Sequence, residues 1–230
     1  MDIAIPLFDR FTALDAIGPY ETLSRLPGAR VTFVAAEPGP VATDNRMLRI
    51  VAERALDELP NPDIIVVPGG IGTRAMMNDA QLVSWVRNAH QTTDWTCSVC
   101  TGSLVLRAAG LLHGLEATTH WMAMDALAST GARPTSRRVV EQGKIITAAG
   151  VSAGIDMGLT LAAKIAGDEV AQAIQLGIEY DPQPPFDAGS PEKAPESVVA
   201  LCRSVEALID AGAHEDSELA TTISQPRNAM

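Results

Sequence analysis

The chain has 230 residues, of which 47% are hydrophobic and 20% charged, with a net charge of −11 and a pI of about 4.7. This length and apolar fraction suit one α/β domain with a substantial core. The acidic balance excludes the basic footprint that nucleic-acid binding needs and disfavours anionic membranes, and no stretch is long, apolar and uncharged enough to span a bilayer.

Residues 1–8 (MDIAIPLF) form an apolar run and are the first expected strand. Asp2 stands where a secretory leader would be basic, and Pro6, Asp9 and Arg10 interrupt any leader core, so a cytoplasmic location is expected. Pro19 suits a first helical turn, and a helix is expected to start near it. Residues 29–35 (ARVTFVA) are apolar and β-branched, hence a second strand. Residues 63–67 are a third, running straight into Pro68-Gly69-Gly70. A helix follows over 79–91, with Leu82, Val83, Val86 and Ala89 on its apolar face. Residues 95–99 are another strand and 101–109 another helix.

Farther on, a helix is expected over 122–129 and a hairpin from 138–140 and 144–147 around Glu141-Gln142-Gly143. Residues 152–166 form a long Ala- and Gly-rich buried helix, and 168–179 a second one capped by Asp168. The proline-rich stretch 181–195 is a loop, and 196–211 a terminal helix. A single domain over 1–212 with a polar tail over 213–230 is the expected organisation. Strands alternating with helices predict a mostly parallel, flavodoxin-like sheet with helices on both faces.

The richest chemical segment is Trp95-Thr96-Cys97-Ser98-Val99-Cys100-Thr101-Gly102. Cys100 lies at the joint between an expected strand and helix. A side chain there projects over the carboxyl edge of the sheet, as the nucleophile of a Gly-x-Ser-x-Gly elbow does. The helix N-terminus is expected to favour the thiolate and make Cys100 the most reactive of the three cysteines, although a buried structural cysteine is the ordinary alternative. The odd cysteine count points to free thiols. Cys97 and Cys100 are spaced as a redox pair, but the first lies inside a strand. No metal is expected, because a zinc site needs further ligands at matching spacing.

Glycines at 69, 70 and 72 leave backbone N–H groups open to a bound anion that, with the Thr101 N–H, suit an oxyanion hole. A plain Gly-rich turn is equally consistent. His120 follows Cys100 by twenty residues and fits either a site loop or a structural role. Asp15 sits among Leu14, Ala16 and Ile17, where a carboxylate is costly without a partner or a task; a helix cap and a functional role are both open.

Several of these segments occur together in one known family. Val99-Cys100-Thr101-Gly102 with Leu104-Val105-Leu106, Pro68-Gly69-Gly70, residues 117–121 (ATTHW), residues 149–156 (AGVSAGID) and residues 14–19 (LDAIGP) resemble the DJ-1/PfpI superfamily, which is class I glutamine amidotransferase-like. The branch they resemble most hydrates isonitriles. In the protease- and deglycase-like branches a histidine follows the cysteine, whereas here it is Thr101. The resemblance covers about residues 1–185. It implies Cys100 as nucleophile, Asp15 as acid/base and Thr101 as a contact to substrate or water. It also implies a substrate pocket lined by the N–H groups near Gly70 and Ile71, with His120 at the family's position. A small-molecule substrate, no cofactor and a homodimer with the pocket near its interface go with it. Glyoxalase, deglycase or amidase chemistry at Cys100, or a cysteine-based oxidative-stress sensor, are the alternatives it leaves.

Overall fold

The computed structural model describes residues 1–129 and 131–210, and the expected domain boundary at 212 and tail over 213–230 lie outside them. The chain divides into two compact units, Met1–Tyr180 and Asp181–Met230.

In the first unit the elements run β1 (Asp2–Pro6), α1 (Ala13–Leu23), β2 (Arg30–Ala35), β3 (Gly39–Ala42), β4 (Arg49–Ala52), β5 (Arg54–Ala55), β6 (Ile64–Val67), α2 (Thr73–Met76), α3 (Ala80–Thr92) and β7 (Trp95–Val99). They continue with α4 (Gly102–Ala108), β8 (Glu116–Ala117), α5 (Met124–Ala128), β9 (Arg133–Pro134), β10 (Val139–Gln142), β11 (Ile145–Ala148), α6 (Ala153–Ala166) and α7 (Asp168–Gly177). The second unit contains the proline-rich stretch and α8 (Glu196–Asp210), where a loop and a terminal helix were expected.

Seven strands form one sheet in the order β10-β11-β7-β6-β1-β2-β5, parallel throughout except for the edge strand β10. The central strands are short apolar runs buried along nearly their whole length, as a sheet covered on both faces requires. Right-handed crossovers explain the two layers. From β1 the chain steps one way to β2 through α1, and from β6 it steps the other way to β7 through α3. Helices α1 and α3 therefore cover opposite faces; α6 packs on α1 and α4 on α3.

The α1–α6 contact is a close approach between backbones. A Cβ on Gly158 would overlap Thr22 Oγ1, and one on Gly154 would stand 3.1 Å from Pro19 Cδ. This packing explains the clearest departure from expectation. Helix α1 begins at Ala13, six residues before Pro19, and carries the proline inside it. Pro19 removes one backbone donor, a loss that usually ends a helix. Here the buried contact with α6 holds the turn together, and Thr22 Oγ1 donates to the Pro19 carbonyl at 2.9 Å.

Smaller differences have local causes. Asp168 is the first helical residue of α7 rather than its cap, because Gly167 turns the chain at φ 87°. The expected helix over 122–129 is shorter, preceded by a 3-10 turn at Trp121–Ala123. The two-stranded ribbon β3–β4 was not anticipated, since its short segments lack a clear alternation. No helix among the described residues is long and apolar enough to cross a membrane.

Candidate active site

Strands β1, β6 and β7 are parallel neighbours, so the turns that follow them emerge at one edge of the sheet. The strand order reverses between β1 and β6. A crevice outside the carboxyl ends at such a reversal is where open α/β sheets bind ligands. Five of the residues singled out by sequence meet there: Asp15 from the first turn of α1, Gly69 and Gly70 after β6, and Cys100 and Thr101 after β7.

Cys100 connects β7 to α4 with φ 56°, a left-handed conformation that costs a side-chain-bearing residue about 1–3 kcal/mol. The surroundings enforce it. Its N–H donates to the Ala149 carbonyl at 2.8 Å, at the end of β11. Glycine at 102 is required by close approach, for a Cβ there would run into the Val67 carbonyl oxygen. The sharp strand-to-helix turn expected at Cys100 is therefore present, with the strain that such a turn stores.

The Asp15 carboxyl is fully buried. Its Oδ2 accepts the Gly69 N–H at 2.8 Å, while Oδ1 lacks a well-formed hydrogen bond. Gly69 is fitted tightly between the two functional segments: a Cβ on it would stand 2.6 Å from Thr101 Oγ1 and 2.9 Å from Asp15 Oδ2. Burial raises the carboxyl to about 7, against the lowering effects of the Gly69 N–H and the Cys100 thiol beside it. At neutral pH Asp15 is thus divided between acid and carboxylate, which is where a proton-transfer group works best.

The thiol departs from the expectation of a stabilised thiolate. Burial pushes Cys100 well above the ordinary thiol range, and the Asp15 charge pushes the same way. Hydrogen bonds from the Thr101 N–H and side chain oppose this without reversing it. Helix α4 has only seven residues, so its terminus is a weak counterweight to the loss of water. The resting proton is therefore on sulfur, next to a carboxyl group able to take it. Exposure also differs from expectation, since Cys100 is buried and Cys202 exposed, so reactivity toward an external reagent no longer singles out Cys100. Cys97 is fully buried within β7 and burial raises its thiol too, which removes support for a redox pair.

Two N–H groups of the glycine turn are engaged within the protein. The Gly69 N–H is taken by Asp15, and the Gly70 N–H donates to Thr101 Oγ1 at 3.0 Å. Thr101 Oγ1 in turn donates to the Gly70 carbonyl at 3.2 Å and lies 3.0 Å from Thr73 Oγ1. These groups position Asp15 and Thr101 instead of facing open space, because the turn packs directly against both. Ile71 follows, half-buried. The sequence marks Gly69 through the Pro68-Gly69-Gly70 motif but not its bond to Asp15, and nothing local marks Thr73.

His120 lies against the turn that follows β11. Its ring packs over Gly150, 3.3 Å from the position of a Cβ there, and 5.9 Å from the Trp121 ring. Among the described residues no hydrogen bond joins it to Cys100 or Asp15, and burial lowers its basicity. A cavity of about 250 Å³ lies beside the ends of β1 and β2, lined by Phe8, Val41, Leu82 and others, and touches neither Cys100 nor Asp15.

This arrangement has relatives. Residues 1–164 match the DJ-1/PfpI family. An isonitrile hydratase from Pseudomonas putida is 44% identical over 203 residues, covering 88% of this chain and 89% of that protein. A ThiJ/PfpI family protein from Pseudomonas syringae has a crystal structure that superposes with a TM-score of 0.84 at 37% identity, covering 97% of this chain and 90% of that one. The HTH-type transcriptional regulator CdhR of Pseudomonas aeruginosa is 31% identical over 173 residues, 74% of this chain but only 51% of the regulator. With the family match spanning most of the sheet and the likeness to a solved member extending over nearly the whole chain, the chain belongs to the DJ-1/PfpI family.

Proposed function

We propose that this protein hydrates an isonitrile to the N-substituted formamide, with Cys100 as nucleophile and Asp15 as the proton carrier. The observation that carries the proposal is the buried carboxyl raised to about 7 beside a protonated thiol, in a protein 44% identical to an isonitrile hydratase.

An isonitrile, R–N≡C, has a terminal carbon that must gain both a nucleophile and a proton. The Asp15 carboxylate takes the Cys100 proton as sulfur bonds to that carbon, then returns the proton to the same carbon, giving the thioimidate R–N=CH–S–Cys100. Water then adds to the thioimidate carbon. Asp15 accepts a proton from the water and passes one to nitrogen. The tetrahedral adduct R–NH–CH(OH)–S–Cys100 collapses, its hydroxyl proton returns to sulfur, and the thiol leaves R–NH–CHO behind. One water is consumed and no electrons are transferred. Thr101, anchored by Gly70 and Thr73, can turn its single O–H proton from the Gly70 carbonyl to sulfur as negative charge builds there, beside its backbone N–H.

The test is incubation of the purified protein with p-nitrophenyl isocyanide while following the formamide by chromatography. Turnover is expected; its absence for both aromatic and alkyl isonitriles overturns the reading.

A homodimer belongs to the same proposal. Leu14 and Tyr20 on α1, with Met47 and Val51 on the β3–β4 ribbon, are exposed apolar side chains that a second copy would cover. Light scattering after size exclusion should give twice the 24.2 kDa chain mass, and a monomer at micromolar concentration contradicts it.

A further inference from the structure

We propose that Thr119 is a positioning residue for the reaction: its hydroxyl holds the Cys100 peptide in the left-handed conformation that sets the thiol beside Asp15. The inference rests on the function proposed above, but part of its test does not.

The Cys100 carbonyl has no place in the backbone ladder of α4. Its natural helical donor, the Leu104 N–H, binds the Thr101 carbonyl instead, at 2.9 Å. Two side-chain hydroxyls serve the carbonyl in its stead: Thr119 Oγ1 donates at 3.0 Å and Ser103 Oγ at 3.3 Å. Both residues are buried, Thr119 to 1% exposure, so the bond is made away from bulk water. On the other side, the Cys100 N–H is held by the Ala148 and Ala149 carbonyls at 3.1 and 2.8 Å. The residue with φ 56° is therefore clamped at both of its peptide groups, and the carbonyl clamp is made by side chains.

Thr119 is itself firmly placed. The adjacent Thr118 N–H donates to Thr147 Oγ1 on β11 at 2.9 Å, tying the segment to the sheet. In the Thr118-Thr119-His120-Trp121 motif it is thus Thr119, and not the more conspicuous histidine, that bonds to the strand–helix turn. Without its hydroxyl the carbonyl keeps only the longer bond from Ser103, and the peptide is free to relax toward an ordinary conformation. That rotates the Cα–Cβ bond and moves sulfur away from the carboxyl. Displacements near 1 Å at a reacting centre can cost roughly 100-fold in rate.

The experiment compares Thr119→Val, which keeps the shape and removes the donor, with Thr119→Ser, which restores it. With p-nitrophenyl isocyanide, Thr119→Val should lose about 10–100-fold in kcat with KM changed less than about threefold, and Thr119→Ser should recover to within about threefold of the parent. A second readout is the pH profile of Cys100 alkylation by iodoacetamide, followed on the Cys100 peptide by mass spectrometry. That profile reflects the coupling between thiol and Asp15. It should shift in Thr119→Val and not in Thr119→Ser, with melting temperature recorded in parallel. Wild-type kcat and an unshifted profile in Thr119→Val overturn the proposal, as does a serine variant as impaired as the valine one. Should Thr119→Val fail to fold, Ser103→Ala removes the weaker bond to the same carbonyl. A smaller shift in its profile supports the clamp, and an unshifted one overturns it. Should the parent protein turn over no isonitrile, the proposed function fails, and the alkylation profiles alone decide the role of Thr119.

Discussion

Replacing Cys100 with serine is expected to abolish isonitrile hydration, with a loss in kcat on the order of 10⁶-fold, the scale seen when the nucleophile of a covalent mechanism is deleted. A hydroxyl has almost the same shape, so the variant should fold. Its oxygen is far less acidic than sulfur, and Asp15, poised at about 7, is too weak a base to carry its proton away. The site raises even the thiol well above its ordinary range, so it is not a general activator of nucleophiles; it depends on sulfur being polarizable and on the carboxyl beside it. Steady-state formamide production with p-nitrophenyl isocyanide is the measurement. More than a few per cent of parent activity in Cys100→Ser or Cys100→Ala would falsify the covalent route and leave at most direct hydration by an Asp15-activated water.

The second large effect is expected at Asp15. Asp15→Asn should lower kcat by about 10²–10⁴-fold, the usual contribution of general acid–base catalysis, because the amide can neither take the thiol proton nor deliver one to carbon. The parent enzyme's pH profile should carry the signature of the same group. The carboxylate is the form that accepts the thiol proton, so kcat/KM should fall on the acid side of about pH 7 and be level above it. That acid limb should vanish in Asp15→Asn. Stability should change in the opposite sense to activity. The folded-state value lies above the ordinary aspartate value of 3.8, so the fold binds this proton more tightly than the unfolded chain does. The stability that goes with it is fully present below about pH 4 and is lost as pH rises toward 7. By linkage the difference is on the order of 4 kcal/mol. Asp15→Asn escapes this loss, and it should melt above the parent at pH 8 and close to it at pH 4. A variant that keeps near-normal turnover, while His120→Ala is inactive, would transfer the acid/base role to the histidine.

Such a group, buried where it costs stability and coupled to a strained cysteine, is the usual mark of a site kept for chemistry. The strain at Cys100 and the desolvation of Asp15 are both maintained by packing. The turn after β6 bonds Asp15 and Thr101, and the end of β11 holds the Cys100 N–H.

The sequence alone was enough to read the layered α/β architecture, the strand from Trp95 to Val99 and the break at Cys100, because each of these is written in a contiguous pattern of apolar residues and glycines. It also marked Asp15 as anomalous, since a carboxylate among apolar neighbours is visible without a structure. What it did not reveal are quantities that depend on distant parts of the chain. Locally Pro19 reads as a helix start, yet α1 continues through it because α6 buries that face. The direction of the thiol shift is not legible locally, because a helix terminus is a local feature, whereas desolvation sums over everything packed around Cys100. The Gly70 N–H was expected to face a ligand and instead meets Thr101, a contact between residues 31 apart. In each case the tertiary structure decided the outcome for one physical reason: periodicity and turn chemistry act over a few residues, while burial and hydrogen-bond satisfaction are settled by segments that meet only when the sheet has formed.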